Sequence, residues 1–246
     1  TDVPNDSDVD QGNANMTFDI ELTSNENEQD IDGGFYQPVS IGNFVWHDQN
    51  ANGVQDGGEP GVENVQVQLT FRNGWVVTDV FDNPVLPAVT DAAGNYTFNN
   101  LRPGEYNIMV NPPAMWLFSD PNVGGDATDN DFDAGGIYVP FFIINSGETT
   151  TNVDAGIYKN IIVIGTVWVE QDDDGVQQLP AELGLAGVTV NILGSPGGAV
   201  VATSTTNANG EYMFEVKPGD YTISVVGGNF GPGNPLNGLV SCTPTS

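Results

Sequence analysis

Apolar side chains alternate with polar ones over much of this chain. Val65, Val67 and Leu69 fall on one side of "GVENVQVQL", and Val188, Val190 and Ile192 on one side of "GLAGVTVNI". A period of two belongs to a strand with one buried face. The same alternation predicts strands at Tyr96 to Phe98 and Tyr212 to Phe214, each fed by a turn at Asp91–Gly94 or Asn207–Gly210. Arg102-Pro-Gly104 and Lys217-Pro-Gly219 predict tight turns ahead of Tyr106 and Tyr221, since Pro fixes one dihedral and Gly permits a positive one. Short strands punctuated by Gly and Pro, with no long helical stretch, predict an all-β chain of sandwich units.

These strands recur. Trp46 and Trp168 lie 122 residues apart, and at the same offset "DIDGGFY", ending at Tyr36, returns as "NVDAGIY", ending at Tyr158. "TDAAGNYTFNNLRPGEYNIMV" is echoed by "TNANGEYMFEVKPGDYTISVV". Three segments follow: residues 39–160 as one full unit, 161–246 as the first part of another, and 1–38 as the last part of a unit. Three arrangements fit them. The sequence could be a window onto a longer tandem polypeptide, in keeping with its start at Thr1. Residues 1–38 of one subunit could instead complete residues 161–246 of the next by donated strands such as Thr17–Leu22, giving a head-to-tail filament. Completion within one chain is the third.

Charge narrows the partners. Thirty-three Asp and Glu face 4 Lys and Arg, a formal charge of -29, yet 39% of the chain is hydrophobic, too much apolar material for an acidic disordered tail. Four basic residues (Arg72, Arg102, Lys159 and Lys217) make no phosphate-binding patch, so nucleic acid is not an expected partner. Divalent cations are the natural counter-charge. No span suited to a membrane is present, and the single Cys242 excludes an intrachain disulfide and a four-cysteine zinc site.

The acidic residues carry a metal-ligand spacing. In "DQNANGVQDGGE", Asp48, Asn50 and Asn52 supply side-chain oxygens at alternate positions, Gly53 allows a sharp turn, Val54 offers its carbonyl, Asp56 acts directly or through water, and Glu59 closes the sphere with two oxygens. This is the EF-hand loop pattern for Ca2+. Its flanks are not those of an EF-hand: "IGNFVWHD" precedes it as a strand, and Pro60 and Gly61 follow it. A cation held there staples strands and has no helix pair to open. The second copy reads Glu170, Asp172, Asp174, Val176, Gln178 and Glu182, with one extra residue before the final Glu. Further alternating carboxylates occur at Asp6, Asp8 and Asp10, at Asp129, Asp131 and Asp133, at Asp30 and Asp32, and at Asp154. Asp30, Asp32 and Asp154 precede unit junctions, where they could join the following unit's Asp48 or Glu170 loop.

With these residues in view, "IGNFVWHDQNANGVQDGGEPGVENVQVQL" followed by "TDAAGNYTFNNLRPGEYNI" resembles the SdrD B-like repeat, related to the B-type repeats of collagen adhesins. The resemblance implies tandem Greek-key, immunoglobulin-like β-sandwich units with calcium-binding loops, used as a spacer or stalk on secreted surface proteins. It implies cation ligands at Asp48, Asn50, Asn52, Asp56 and Glu59, and at Glu170, Asp172, Asp174 and Glu182. Related repeats carry a Lys–Asn isopeptide crosslink, which is not expected here because the middle unit's early strands contain no lysine.

The expected function is therefore non-enzymatic and extracellular: a calcium-rigidified stalk or filament subunit whose partners are neighbouring repeats or identical subunits. An adhesin module for a host, glycan or matrix ligand is the alternative, and an exposed Trp75 or Trp116 would favour it. His47 is the sole histidine and has no cysteine beside it, so it builds neither a triad nor a zinc site. It is expected on a strand surface, with Trp46 and Trp168 in the cores.

Overall fold

The computed structural model describes residues 7, 9, 23–25, 31–125, 127–138, 141–196 and 198–242. Asp6, Asp8, Asp10, Asp30 and the segment Thr17–Leu22 lie outside them. The described residues are all-β apart from a short 3-10 helix at Gly227–Phe230.

Nine strands lie between residues 39 and 158: β1 (Val39–His47), β2 (Gln66–Phe71), β3 (Ala88–Val89), β4 (Asn95–Leu101), β5 (Gly104–Asn111), β6 (Leu117–Phe118), β7 (Phe142–Ile144), β8 (Thr149–Thr150) and β9 (Ala155–Tyr158). They form two sheets. One runs β4-β1-β9-β6 with β8 also on β1, and the other runs β3-β2-β5-β7. Val39, Ile41 and Val45 of the first sheet share one core with Val67, Leu69 and Ile108 of the second, as the alternation predicts. β1 is antiparallel to β4 but parallel to β8 and β9, so β1 and β9 point the same way along the sheet.

Five more strands follow: β10 (Ile161–Thr166), β11 (Thr189–Gly194), β12 (Val200–Thr205), β13 (Glu211–Val216) and β14 (Tyr221–Val225). β10 pairs with β13 as β1 pairs with β4, and β12-β11-β14 repeats β3-β2-β5. A second core gathers Val188, Val190, Ile192, Phe214 and Val216. Among the described residues, no strand here corresponds to β6, β7, β8 or β9.

The repeat extends to single atoms. Thr90 Oγ accepts from Val65 N–H at 2.9 Å and donates to the Val62 carbonyl at 2.7 Å, and Thr206 does the same with Val188 and Leu185. The Tyr106 and Tyr221 hydroxyls donate to the carbonyls of Arg102 and Lys217, closing the two Pro-Gly turns. A Cβ on Gly61 or Gly184 would lie 1.8 Å from the carbonyl oxygen of Ala93 or Asn209, so both positions demand glycine.

Candidate metal sites

The loop after β1 is held by its own acids. Asp48 is fully buried, and its two carboxylate oxygens accept from Asn52 N–H at 3.1 Å and Gly53 N–H at 2.7 Å. Glu59 accepts from Gln49 N–H at 2.8 Å through Oε1 and from Asp56 N–H at 3.0 Å through Oε2, pinning both arms of the loop. Asn50 and Asn52 direct their NH2 groups at Asp56 Oδ2, at 2.8 and 3.0 Å. The Val54 and Asn52 backbones stay within Asx turns, with Val54 N–H donating to Asn52 Oδ1 at 2.8 Å.

The second loop keeps this design despite its extra residue. Glu182, fully buried, accepts from Gln171 N–H at 2.9 Å and Gln178 N–H at 2.7 Å, the counterparts of the two Glu59 bonds. The insertion is absorbed between Gln178 and Glu182, where the Ala181 and Glu182 N–H groups both donate to the Gln178 carbonyl. Glu170, Asp172 and Asp174 each present a carboxylate oxygen, all within 4.8 Å of one another. One oxygen of Glu170 is buried without a partner. The neighbouring Glu182 carboxyl and the Gln171 and Asp172 N–H groups hold the Glu170 carboxyl below its usual range. Val176 donates its N–H to Asp174 Oδ1 at 2.8 Å, and Gln178 donates its side-chain amide to Asp174 Oδ2 at 2.6 Å.

A third group of acids lies inside the first set of sheets. Asp129, Asp131 and Asp154 are 4%, 8% and 1% exposed. Asp154 N–H donates to Asp131 Oδ2 at 2.6 Å, and Asp131 N–H to the Asp154 carbonyl at 2.9 Å. Both carboxylate oxygens of Asp154 and one of Asp129 are buried without a hydrogen bond of ordinary geometry. Burial, with Asp131 and Asp129 adding repulsion against the partial relief of Asn43 and the Phe44 backbone, raises the Asp154 carboxyl to about 7. Asp154 thus sits with acids of its own unit. Asp133 faces elsewhere, accepting from Gly135 and Ile137 N–H groups in a turn. Asp32 lies in the extended segment before β1.

Two residues of this region had no signal in the spacing of carboxylates. Asn130, fully buried, donates to the carbonyls of Ser119 and Phe132 at 2.7 Å each and accepts from Gly156 N–H at 3.2 Å. Asn43 approaches Asp154 from β1. The acid loop is also stitched to this region, because Gln55 N–H donates to the Thr128 carbonyl and Asn130 N–H to the Gly53 carbonyl.

The aromatic and basic residues divide differently from expectation. His47 is half-buried and packs edge-on against Trp116 at 4.9 Å, while Lys159 covers the same indole at 4.5 Å. Trp46 is buried, whereas Trp168 is only partly so. Trp75 is 74% exposed. Asp120, in the loop after β6, pairs with Lys217 at 2.9 Å while staying largely exposed.

Comparison with known proteins agrees with the repeat. The SdrD B-like domain model matches residues 39–157 and 163–232. Serine-aspartate repeat-containing protein F of Staphylococcus epidermidis is 33% identical over 214 residues, 85% of this chain and 12% of its own length. Serine-aspartate repeat-containing protein E of Staphylococcus aureus is 30% identical over 223 residues, 89% of this chain and 18% of its own length. The chain therefore spans less than a fifth of these relatives. Among solved structures, a streptococcal ancillary pilin overlaps 85% of this chain and 65% of its own at 12% identity, with a TM-score of 0.34 that is too low to fix an architecture. No helix of the described residues is long and apolar enough to cross a membrane. On the family match, the chain belongs to the SdrD B-like domain family.

Proposed function

We propose that this chain is a stalk or filament element built of Greek-key, immunoglobulin-like sandwiches and rigidified by calcium. In this reading residues 39–160 are a complete sandwich, 161–246 an incomplete one, and 1–38 the terminal strands of a further unit. The observation that carries it is the burial of Asp129, Asp131 and Asp154 together, with neither Asp154 oxygen in a hydrogen bond of ordinary geometry. Buried carboxylates at this density are costly unless neutralised. A hard cation with six to eight oxygen ligands supplies that neutralisation, and oxygen-rich sets stand in all three places. Asp48, Asn50, Asn52, Asp56 and Glu59, with the Val54 carbonyl, would hold one ion after the two Asn amides turn their oxygens inward. Glu170, Asp172, Asp174 and Glu182, with the Val176 carbonyl, would hold another. Asp129, Asp131 and Asp154 would hold a third, with Asp32, Asp30 and the N-terminal acids Asp6, Asp8 and Asp10 filling the matching positions of the preceding unit.

Calcium then ties connectors to strands, and the remaining negative charge opposes lateral collapse. Thermal melting of the chain with saturating calcium and with chelator tests this. A rise in melting temperature with calcium is expected, reduced in an Asp48→Asn and in an Asp131→Asn chain. Superimposable curves in both conditions would sink the proposal.

A second reading, an adhesin module for a host, glycan or matrix ligand, is favoured by the connection between β2 and β3. Trp75, Val76, Phe81 and Leu86 are all largely exposed there, a concentration of apolar surface of the kind that marks interaction sites. One of the S. aureus relatives is named bone sialoprotein-binding protein. Loss of ligand capture in a Trp75→Ala chain with unchanged calcium-dependent melting would support this reading.

A further inference from the structure

β9 lies in a slot between two strands. It is parallel to β1, with Val45, Trp46 and His47 opposite Ala155, Gly156 and Ile157, and antiparallel to β6, with Leu117 and Phe118 opposite Tyr158 and Ile157. Ser119 N–H donates to the Gly156 carbonyl at 2.9 Å and Asp48 N–H to the Ile157 carbonyl at 3.0 Å. The first wall corresponds to Val167–Val169, and the second, Leu117-Phe118-Ser119, to Leu239-Val240-Ser241, where extra residues after Tyr221 restore the offset from 115 to 122. Those two segments line one cavity of about 330 Å³, floored by Trp168, Val225 and Phe230. Among the described residues no strand lies between them, Val240 is 91% exposed, and Ile162 and Ile164 of β10 are exposed as well.

The chain also carries a second version of the strand that fills the slot. Asp32-Gly33-Gly34-Phe35-Tyr36 repeats Asp154-Ala155-Gly156-Ile157-Tyr158. Ile157 is fully buried, whereas Phe35, its counterpart, is 81% exposed in an extended segment outside any strand. A Cβ on Gly156 would lie 2.6 Å from Trp46 Cζ2, so a glycine is required against the indole, and Gly34 is the glycine at the matching position of the second version.

We propose that the slot between Val167–Val169 and Leu239–Ser241 takes residues Gly33–Tyr36 of a second copy of this chain. The inference rests on the stalk reading above and deepens it by naming how one copy meets the next. Gly34 lies against Trp168, Phe35 fills the cavity, Glu170 N–H donates to the Phe35 carbonyl and Ser241 N–H to the Gly34 carbonyl. Among the described residues the donor gives up one bond, from Gly34 N–H to Ser7 Oγ at 3.0 Å, and gains the backbone edges of both walls. Self-insertion is disfavoured by topology. Residues 33–36 precede the Val39 end of β1, where Gln37 N–H is tied to Ser146 Oγ at 2.8 Å. β9 leaves the same sheet at the opposite, His47 end, and β10 begins three residues later. Donor and slot therefore stand at opposite ends, a heterologous contact that propagates without closing.

The test uses the full chain with Phe35→Cys, Val240→Cys and Cys242→Ser. Phe35 and Val240 would be directly opposite across an antiparallel pair, at about 4.5 Å between Cα atoms as in a non-hydrogen-bonded pair, within disulfide reach. Oxidation should give a reducible ladder of dimers and longer multimers, and adding Gly34→Val should remove it. As a measure independent of the chain's folding, a dye-labelled peptide of residues 29–38 should bind the unmodified chain at least about tenfold more tightly than its Gly34→Val version, the equivalent of about 1.4 kcal/mol of clash. Disulfide confined to monomers, a ladder indifferent to Gly34→Val, or equal binding of the two peptides would overturn the inference. Because the stalk reading is read from calcium-dependent melting, loss of the ladder with that melting shift intact would discard the slot alone.

Discussion

Gly156 lies flat against the indole of Trp46, close enough that a methyl group on its Cα would come 2.6 Å from Cζ2 and 3.0 Å from Cη2. The tryptophan is fully buried and β9 cannot retreat, since it is paired on both edges. Gly156→Ala should therefore destabilise the chain by about 1–3 kcal/mol through overpacking. Urea unfolding followed by Trp fluorescence measures this, and a loss within about 0.5 kcal/mol would show that the indole can move aside.

Asp154 sets a pH dependence in the absence of metal. Its carboxyl is raised to about 7 by burial and by its acidic neighbours, against an ordinary value near 3.8. Between those two values the folded chain holds a proton that the unfolded chain has released. Stability in chelator should then fall as pH rises from about 4 to about 7 and level off above it. With calcium the cation replaces the proton, so the slope should shrink and calcium uptake near pH 6 should release protons. Asp154→Asn should flatten the chelator curve. Melting temperature against pH, with and without calcium, gives both outcomes, and a chelator curve that rises over this range would contradict the burial argument.

Glu59 and Glu182 make a matched pair for dissecting the two acid loops. Each spans its loop with two N–H···O bonds from one carboxylate. Replacement by Gln keeps one good acceptor and loses the charge, so each change should cost about 1–2 kcal/mol even in chelator. The Glu182→Gln loss should be the larger of the two, because Glu182 is fully buried while Glu59 is half-buried. In calcium each change should also remove part of the melting shift while leaving the rest. Chemical denaturation in both conditions checks the order, and a reversed order would mean that burial is not what sets the cost.

Much of this was readable in the chain and some was not. Alternation at Val65–Leu69 and Val188–Ile192 marks strands because it follows from the pleat itself, and the offset between Trp46 and Trp168 carries over to the pairings of β1 with β4 and β10 with β13. The oxygens of Asp48 and Glu59 fold inward as their spacing suggests. The place of Asp154 was not readable. Sequence proximity set it beside the following loop, whereas the parallel pairing of β9 on β1 carries it to Asp131, 23 residues earlier. A parallel pairing between distant segments leaves no local periodicity, so neither this cluster nor its ties through Asn130 could be read from spacing. The Asp120–Lys217 pair and the covering of Trp116 by His47 and Lys159 likewise join residues far apart in the chain, which local spacing does not encode.

Tyr106 and Tyr221 offer the most direct comparison between a complete sheet pair and one with fewer strands. Both hydroxyls donate to the carbonyl four residues upstream, and Tyr106 is buried enough that its phenol is pushed up to about 12. Removing either hydroxyl by Tyr→Phe leaves a turn carbonyl without its partner, at a cost of about 1 kcal/mol. Tyr106 is fully buried and stacks on Phe71 at 5.4 Å, whereas Tyr221 is half-buried. Water can replace the lost bond at Tyr221 more readily than at Tyr106, so Tyr106→Phe should be the more damaging change. Hydrogen exchange at the amides of β5 and β14 would read the two turns separately in one sample. Equal loss of protection in both strands would mean that the hydroxyl bond, and not the packing around it, governs the stability of these corners.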